Sequence, residues 1–274
     1  MGPPYLQGCR FLKPKPLDTQ SERLRKVWLS VFGLYAQNGC VFGISREGRD
    51  VKRLWHWPID PLARTVRLVL GEKGWAAEAI VITPWVSDLE LSALAPGASQ
   101  PALLDTDAET RVSCVGTVAI CEYIEEAQQS PRLLPFPPAE RAEARRLWQW
   151  SEESFAGINN TLLTERVNQW VRRDRSPDSA ALRQGAHALK NRMTFLDALA
   201  GERSYLAGRT LSMADLSVAA HLSSYDYFGD VLWDAVPDLK AWYARIKSRP
   251  SFRTILDDRV GSAKPARHYT DLDF

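Results

Sequence analysis

Along residues 52–127 short apolar runs bounded by turn residues give way repeatedly to apolar positions at helical spacing. The pattern predicts strands over 52–56, 78–82, 101–104 and 111–114 and helices over 61–73, 87–94 and 117–127. Pro61 suits the first turn of a helix, where its missing N–H would be unpaired anyway, and Gly74 suits the far end. The order is βαβ, a short helix, then ββα. After the Pro-rich break 131–138 the strand signals vanish, and everything from Ala139 onward is helical in period. Leu182, Ala186, Leu189, Met193, Leu196 and Ala200 alternate steps of four and three, which places them on one stripe facing a core. Ser212 followed three residues later by Asp215 predicts a capping box opening another helix. Leu239, Trp242, Tyr243 and Ile246 predict a further one after Pro237, closed before Pro250.

Residues 1–50 lack such order. Leu24, Trp28, Val31 and Tyr35 make one helical stripe within 21–35, and the rest mixes Pro, Gly, Gln and scattered aromatics. We read this segment as a weakly ordered leader, or as lying ahead of a true start at Val51 read from a valine-type start codon. The apolar run Val27–Ala36 is too short to span a bilayer.

Composition narrows the function classes. With 35 Lys/Arg against 33 Asp/Glu and 45% hydrophobic residues, the chain is average for a soluble folded protein. Residues 1–50 hold eight of the cationic residues and four of the acidic ones, so the remainder is slightly acidic. That balance gives no electrostatic footprint for nucleic acid. Cys9, Cys40, Cys114 and Cys121 form no CxxC and no Cys/His cluster, which reads as reduced thiols in a cytoplasmic protein without a metal site. Cys114 and Cys121 read as small buried hydrophobes. His56, His187, His221 and His268 show no metal or nucleophile spacing, and GxSxG, HExxH and GxxxxGK[ST] are missing from the sequence.

Four segments in order, WPIDPLARTVRLVLGEKG (57–74), APGASQPALL (95–104), TVAICEYIEE (117–126) and LAGRTLSMADLSVAAHL (206–222), resemble the glutathione transferase superfamily. The resemblance implies an α/β, thioredoxin-like N-terminal domain over 51–130, an all-helical C-terminal domain over 131–258 and a C-terminal tail over 259–274. The segments KAWYARIKSRPSFRTIL (240–256) and HYTDLDF (268–274) are similar to a cell-division branch of that superfamily in alphaproteobacteria. That similarity implies FtsZ filaments as partner, a place at the division site and a homodimer, whose two binding surfaces would raise avidity.

The resemblance also implies a glutathione site, against which three positions can be tested. A Tyr, Ser or Cys at the start of the first helix stabilises the glutathione thiolate; the matching residue here is Asp60, whose carboxylate repels a thiolate. The cis x-Pro dipeptide that offers its backbone to the cysteinyl group is matched by Gln100–Pro101, a bend the fold itself requires. The acidic-Ser pair that grips the γ-glutamyl end is matched by Gly116–Thr117. Thr117 keeps a hydroxyl at a helix start, while Gly116 supplies no counter-charge for the ammonium. The expectation is therefore no catalytic residue and no cofactor. Glutathione conjugation or reduction, with Gln100, Pro101 and Thr117 holding the peptide, is the alternative.

Partner-binding residues are expected elsewhere. Trp85, in the loop TPWVSDLE, is an aromatic anchor for a protein or packs across the cleft. Arg172, Arg173 and Arg175 are cations for an acidic partner or a solvated loop. The tail Arg267–Phe274, ending in Asp271, Leu272, Asp273 and Phe274, reads as an extended peptide for docking. Trp148 and Trp150 flank the core stripe of their helix, so one of them is expected in interdomain or dimer packing.

Overall fold

The computed structural model describes residues 52–94, 99–106 and 111–272. The stripe at 21–35, the start at Val51 and the tail residues Asp273 and Phe274 lie outside them. The elements are β1 (Lys52–His56), α1 (Pro61–Glu72), β2 (Glu78–Val81), α2 (Leu89–Leu94), β3 (Ala102–Asp105), β4 (Val112–Val115) and α3 (Thr117–Ala127). There follow α4 (Pro138–Ile158), α5 (Thr164–Val167), α6 (Ser179–Glu202), α7 (Met213–Tyr227), α8 (Pro237–Lys247) and α9 (Arg253–Leu256). The sheet order is β2-β1-β3-β4, with β1 parallel to β2 and antiparallel to β3. This is the thioredoxin-like half.

Both faces of the sheet are covered, and the period of two along a strand decides which side chain goes where. Leu54 and Leu103 face α1, α3 and the helical half, while Trp55, Ala102 and Leu104 form a smaller cluster with Ile82 and Leu91 on the other face. α7 is buried along its whole length. Asp215 fixes its start: the buried carboxylate accepts from the Ser212 N–H at 3.0 Å, the Ser212 hydroxyl at 2.7 Å, the Leu206 N–H at 2.7 Å and Trp242 Nε1 at 3.1 Å.

Three polar links tie α1 to the helical half. Buried Arg64 donates to Pro58 O, Ser223 Oγ and Asp258, Arg67 also reaches Asp258, and Glu72 takes a fork from Arg249. At the linker, buried Lys73 pairs with Glu125 at 2.5 Å and donates to the carbonyls of Gln128 and Pro131.

Two features differ from the sequence pattern. The stripe of α6 is buried at Leu189, Met193 and Leu196, but Ala186 faces solvent and Gly185 takes the buried place. A Cβ on Gly185 would lie 2.6 Å from Leu162 Cβ, so only a glycine lets the helices approach this closely. Between α4 and Arg172 the helix does not break but widens twice, into π-turns at Asn159–Leu163 and Asn168–Arg172 on either side of α5.

Candidate functional site

A cleft of about 390 Å³ opens between the sheet half and the widened helix. Trp57, Asp60, Pro61, Pro84, Trp85 and Gln100 line it from one side. Asn159, Thr164, Asn168, Arg172 and Arg175 line it from the other.

Asp60 caps α1. Its extended backbone lets the carboxylate turn back and accept from the N–H groups of Leu62 at 3.4 Å and Ala63 at 3.2 Å, with Pro61 in the first turn. Burial pushes its carboxyl up to about 6, against the pull of those two N–H groups and of His221, and with a push from Glu152. The slot expected to hold a thiol-activating residue therefore holds an acceptor.

The Gln100–Pro101 bond is cis. The Pro101 carbonyl accepts from the Gly116 N–H at 2.9 Å, which sets β3 against the start of α3. Gly116 has φ +89°, a left-handed conformation that a side chain would strain. Thr117 points its hydroxyl at Leu62 O, 3.4 Å away, and is buried. Neither residue lines the cleft, so Asp60 and Gln100 reach it while Gly116 and Thr117 serve as packing behind it.

Trp85 and Arg172 meet. The Arg172 guanidinium lies 4.9 Å from the centre of the Trp85 ring, which in turn packs edge-on against Trp57 at 5.5 Å. Trp85 therefore packs across the cleft, as one of its two readings expects, and keeps 42% of its surface exposed. Asp174 pairs with Arg172 at 2.5 Å, and Glu165 pairs with Arg175. Arg173 parts from its neighbour: its left-handed backbone (φ +58°) turns it to another cavity with Trp170, Phe228, Ser262 and Lys264.

The tail is a strap before it is an end. Tyr269 is fully buried with its hydroxyl on Ile255 O, the Ala266 N–H reaches Tyr227 O, and His268 Nε2 lies 2.8 Å from buried Asp226. His268 and Tyr269 thus belong to the fold, while Arg267 before them and Thr270, Asp271 and Leu272 after them are exposed. An exposed-peptide reading from Arg267 needs that correction: Tyr269 is too large an apolar group to leave a core that accommodates it.

Sequence reasoning missed the polar layer beneath the cleft. Buried His221 stacks on Phe155 at 4.7 Å and faces Asn159 and Glu152, and Tyr225 donates to Asn159 at 2.6 Å. Burial would raise the Glu152 carboxyl, but His221, Ser217 and Trp148 together hold it below its ordinary value. The signal available was the asparagine-rich run NNTLLTERVNQW (159–170), a poor helix former inside a helix. Trp148 is buried in the core, and Trp150 packs on Phe155 and on Phe195, which is 45% exposed.

Models of the glutathione S-transferase N-terminal and C-terminal domains match residues 54–132 and 174–259. FtsZ-localized protein A of Caulobacter vibrioides is 45% identical over 224 residues, covering 81% of this chain and 98% of that protein. The chain belongs to the glutathione S-transferase family. Within that family, the solved structure of FzlA from C. crescentus superposes with a TM-score of 0.78 at 44% identity, over 82% of this chain and all of that one. A glutathione S-transferase from Rhodospirillum rubrum matches at 37% identity and a TM-score of 0.75, again over 82% and 100%. Among the described residues no helix of this family member is long and apolar enough to cross a membrane.

Proposed function

We propose that this glutathione S-transferase family protein is a non-catalytic binding protein of bacterial cell division that binds FtsZ filaments and modulates their arrangement. The observation that carries the reading is the 45% identity to a protein named for its localization with FtsZ, sustained over 98% of that protein. The cleft chemistry agrees with it, since a carboxylate occupies the thiol-activating slot and Gly116 brings no counter-charge for a γ-glutamyl ammonium. A missing charged hydrogen bond costs about 1.5–3 kcal/mol, or about one to two decades in affinity. We place the protein in the cytoplasm at the division site, acting as a homodimer that presents two filament-binding surfaces.

The filament-facing residues in this reading are Trp85, Arg172, Arg173 and the end of the tail, Asp271, Asp273 and Phe274. Trp85→Ala, or removal of 271–274, is expected to leave the melting temperature within about 3 °C of wild type while weakening co-sedimentation with filaments at least about fivefold. Glutathione is expected to give no saturable binding up to millimolar concentration. Saturable binding with turnover of an electrophile would move the protein to the transferase reading.

A further inference from the structure

Among the described residues lining the cleft, Asp60 is the acidic one without a cation. The rim arginines are answered, Arg172 by Asp174 and Arg175 by Glu165, so these four lining and flanking charges cancel in pairs. The Asp60 carboxylate accepts two backbone N–H groups, and among the described residues no lysine, arginine or histidine stands within ion-pair distance of it. The groups facing it are His221 and Glu152 from the helices beneath, and Arg172, Asp174 and Arg175 around the cleft. A carboxylate accepts about four hydrogen bonds, so about half its capacity is open.

The surroundings suit a cation. Trp57 and Trp85 present two indoles beside Asp60, and a guanidinium already rests on one of them from within the chain, that of Arg172. Two further lining residues, Gln100 and Asn168, carry buried amide oxygens that accept nothing among the described residues. Acceptors and π-faces recognise an N–H-rich cation, and a thiolate needs the opposite.

We propose that the cleft takes a cationic side chain, an arginine or lysine, from the protein partner and seats it on the Asp60 carboxylate, against the open edge of the Trp57–Trp85 pair. The inference rests on the cleft facing that partner, as proposed above, and adds what the partner must bring to it.

The probe is Nα-acetyl-arginine methylamide, titrated into the full chain and followed by tryptophan fluorescence, with the neutral citrulline analogue as control. Saturable binding of the arginine compound, and none of the citrulline compound, is expected at about pH 8. Affinity should fall severalfold at about pH 5, where Asp60 takes up a proton. Asp60→Asn keeps the helix cap, since asparagine caps as well as aspartate, and should lower affinity about tenfold without lowering the melting temperature. Trp57→Leu gives a second, uncharged route to the same loss.

Equal binding of the two compounds, or full affinity in Asp60→Asn, overturns the proposal. The two readings fail separately. Filaments that pellet the protein alongside a silent probe reject the cation seat and keep the filament partner. A bound probe with no pelleting keeps the cation chemistry and rejects the protein source.

Discussion

His56 ends β1 with both ring nitrogens buried and without a hydrogen bond among the described residues, and it is 2% exposed. Burial, with Arg67 and Arg64 adding to it, pulls its pKa down to about 3. An unfolded histidine titrates near 6.5, so between pH 6.5 and 3 only the unfolded chain takes up the proton. Stability is whole above about pH 6.5 and drains as pH falls, by about 5 kcal/mol at the limit. His56→Leu should flatten that acid limb in urea unfolding followed across pH; an unchanged slope would contradict the assignment. Asp60 has the opposite sign. Its raised folded value of about 6 makes its contribution greatest at low pH and lost as pH rises through about 6. Asp60→Asn should therefore stabilise the protein near neutrality, by about 1–2 kcal/mol once the exposed part of the carboxyl is allowed for. A carboxylate kept where an amide would be more stable fits a site held for binding. The identity of Asp60 and its place before Pro61 were legible in the sequence. Its solitude was not, because it depends on Arg172 and Arg175, over a hundred residues away, pairing with Asp174 and Glu165 instead.

The helix from Pro138 to Arg172 shows what periodicity cannot reach. A π-turn adds a residue to the turn and shifts the face of everything after it, so a stripe counted at 3.6 fails beyond Ile158. The insertion brings Asn159, Thr164 and Asn168 round to the cleft. It also presses Leu162 against α6 so closely that Gly185 has no room for a Cβ, its nearest neighbours being Leu162 Cβ at 2.6 Å and Leu162 N at 2.8 Å. Gly185→Ala, normally a helix-stabilising exchange in this position, should cost about 1–3 kcal/mol, read as a lower urea midpoint at constant m-value. A gain in stability would show that α6 can slide away from the π-turn. The short strands, α1, α3 and α7 were legible to within a residue or two because turn residues, Pro61, Gly74 and Asp215, mark their ends chemically.

At the scale of the molecule, α1 is the hinge-pin between sheet and helices, and the strap from Asp257 to Tyr269 locks it. Asp258 takes Arg64 and Arg67 from α1, and Tyr269 fills the space under Arg64 at 5.9 Å. Tyr269→Ala should cost about 3–5 kcal/mol, a fall of about 10 °C in melting temperature, whereas trimming the exposed residues beyond it should not. Similar losses from both changes would mean that the end of the tail is structural as well. The two-layer plan was legible because composition and period change together at the Pro-rich break; the strap was not, since Val260, Ala263 and Tyr269 follow no period and are buried one at a time. The reading of the whole molecule as a division protein is tested most directly by co-sedimentation of the full chain with GTP-assembled FtsZ from its own organism, against unpolymerised FtsZ. Saturable pelleting with polymer alone is predicted. A chain that stays in the supernatant at saturating filament, while binding glutathione and turning over an electrophile, would contradict the account.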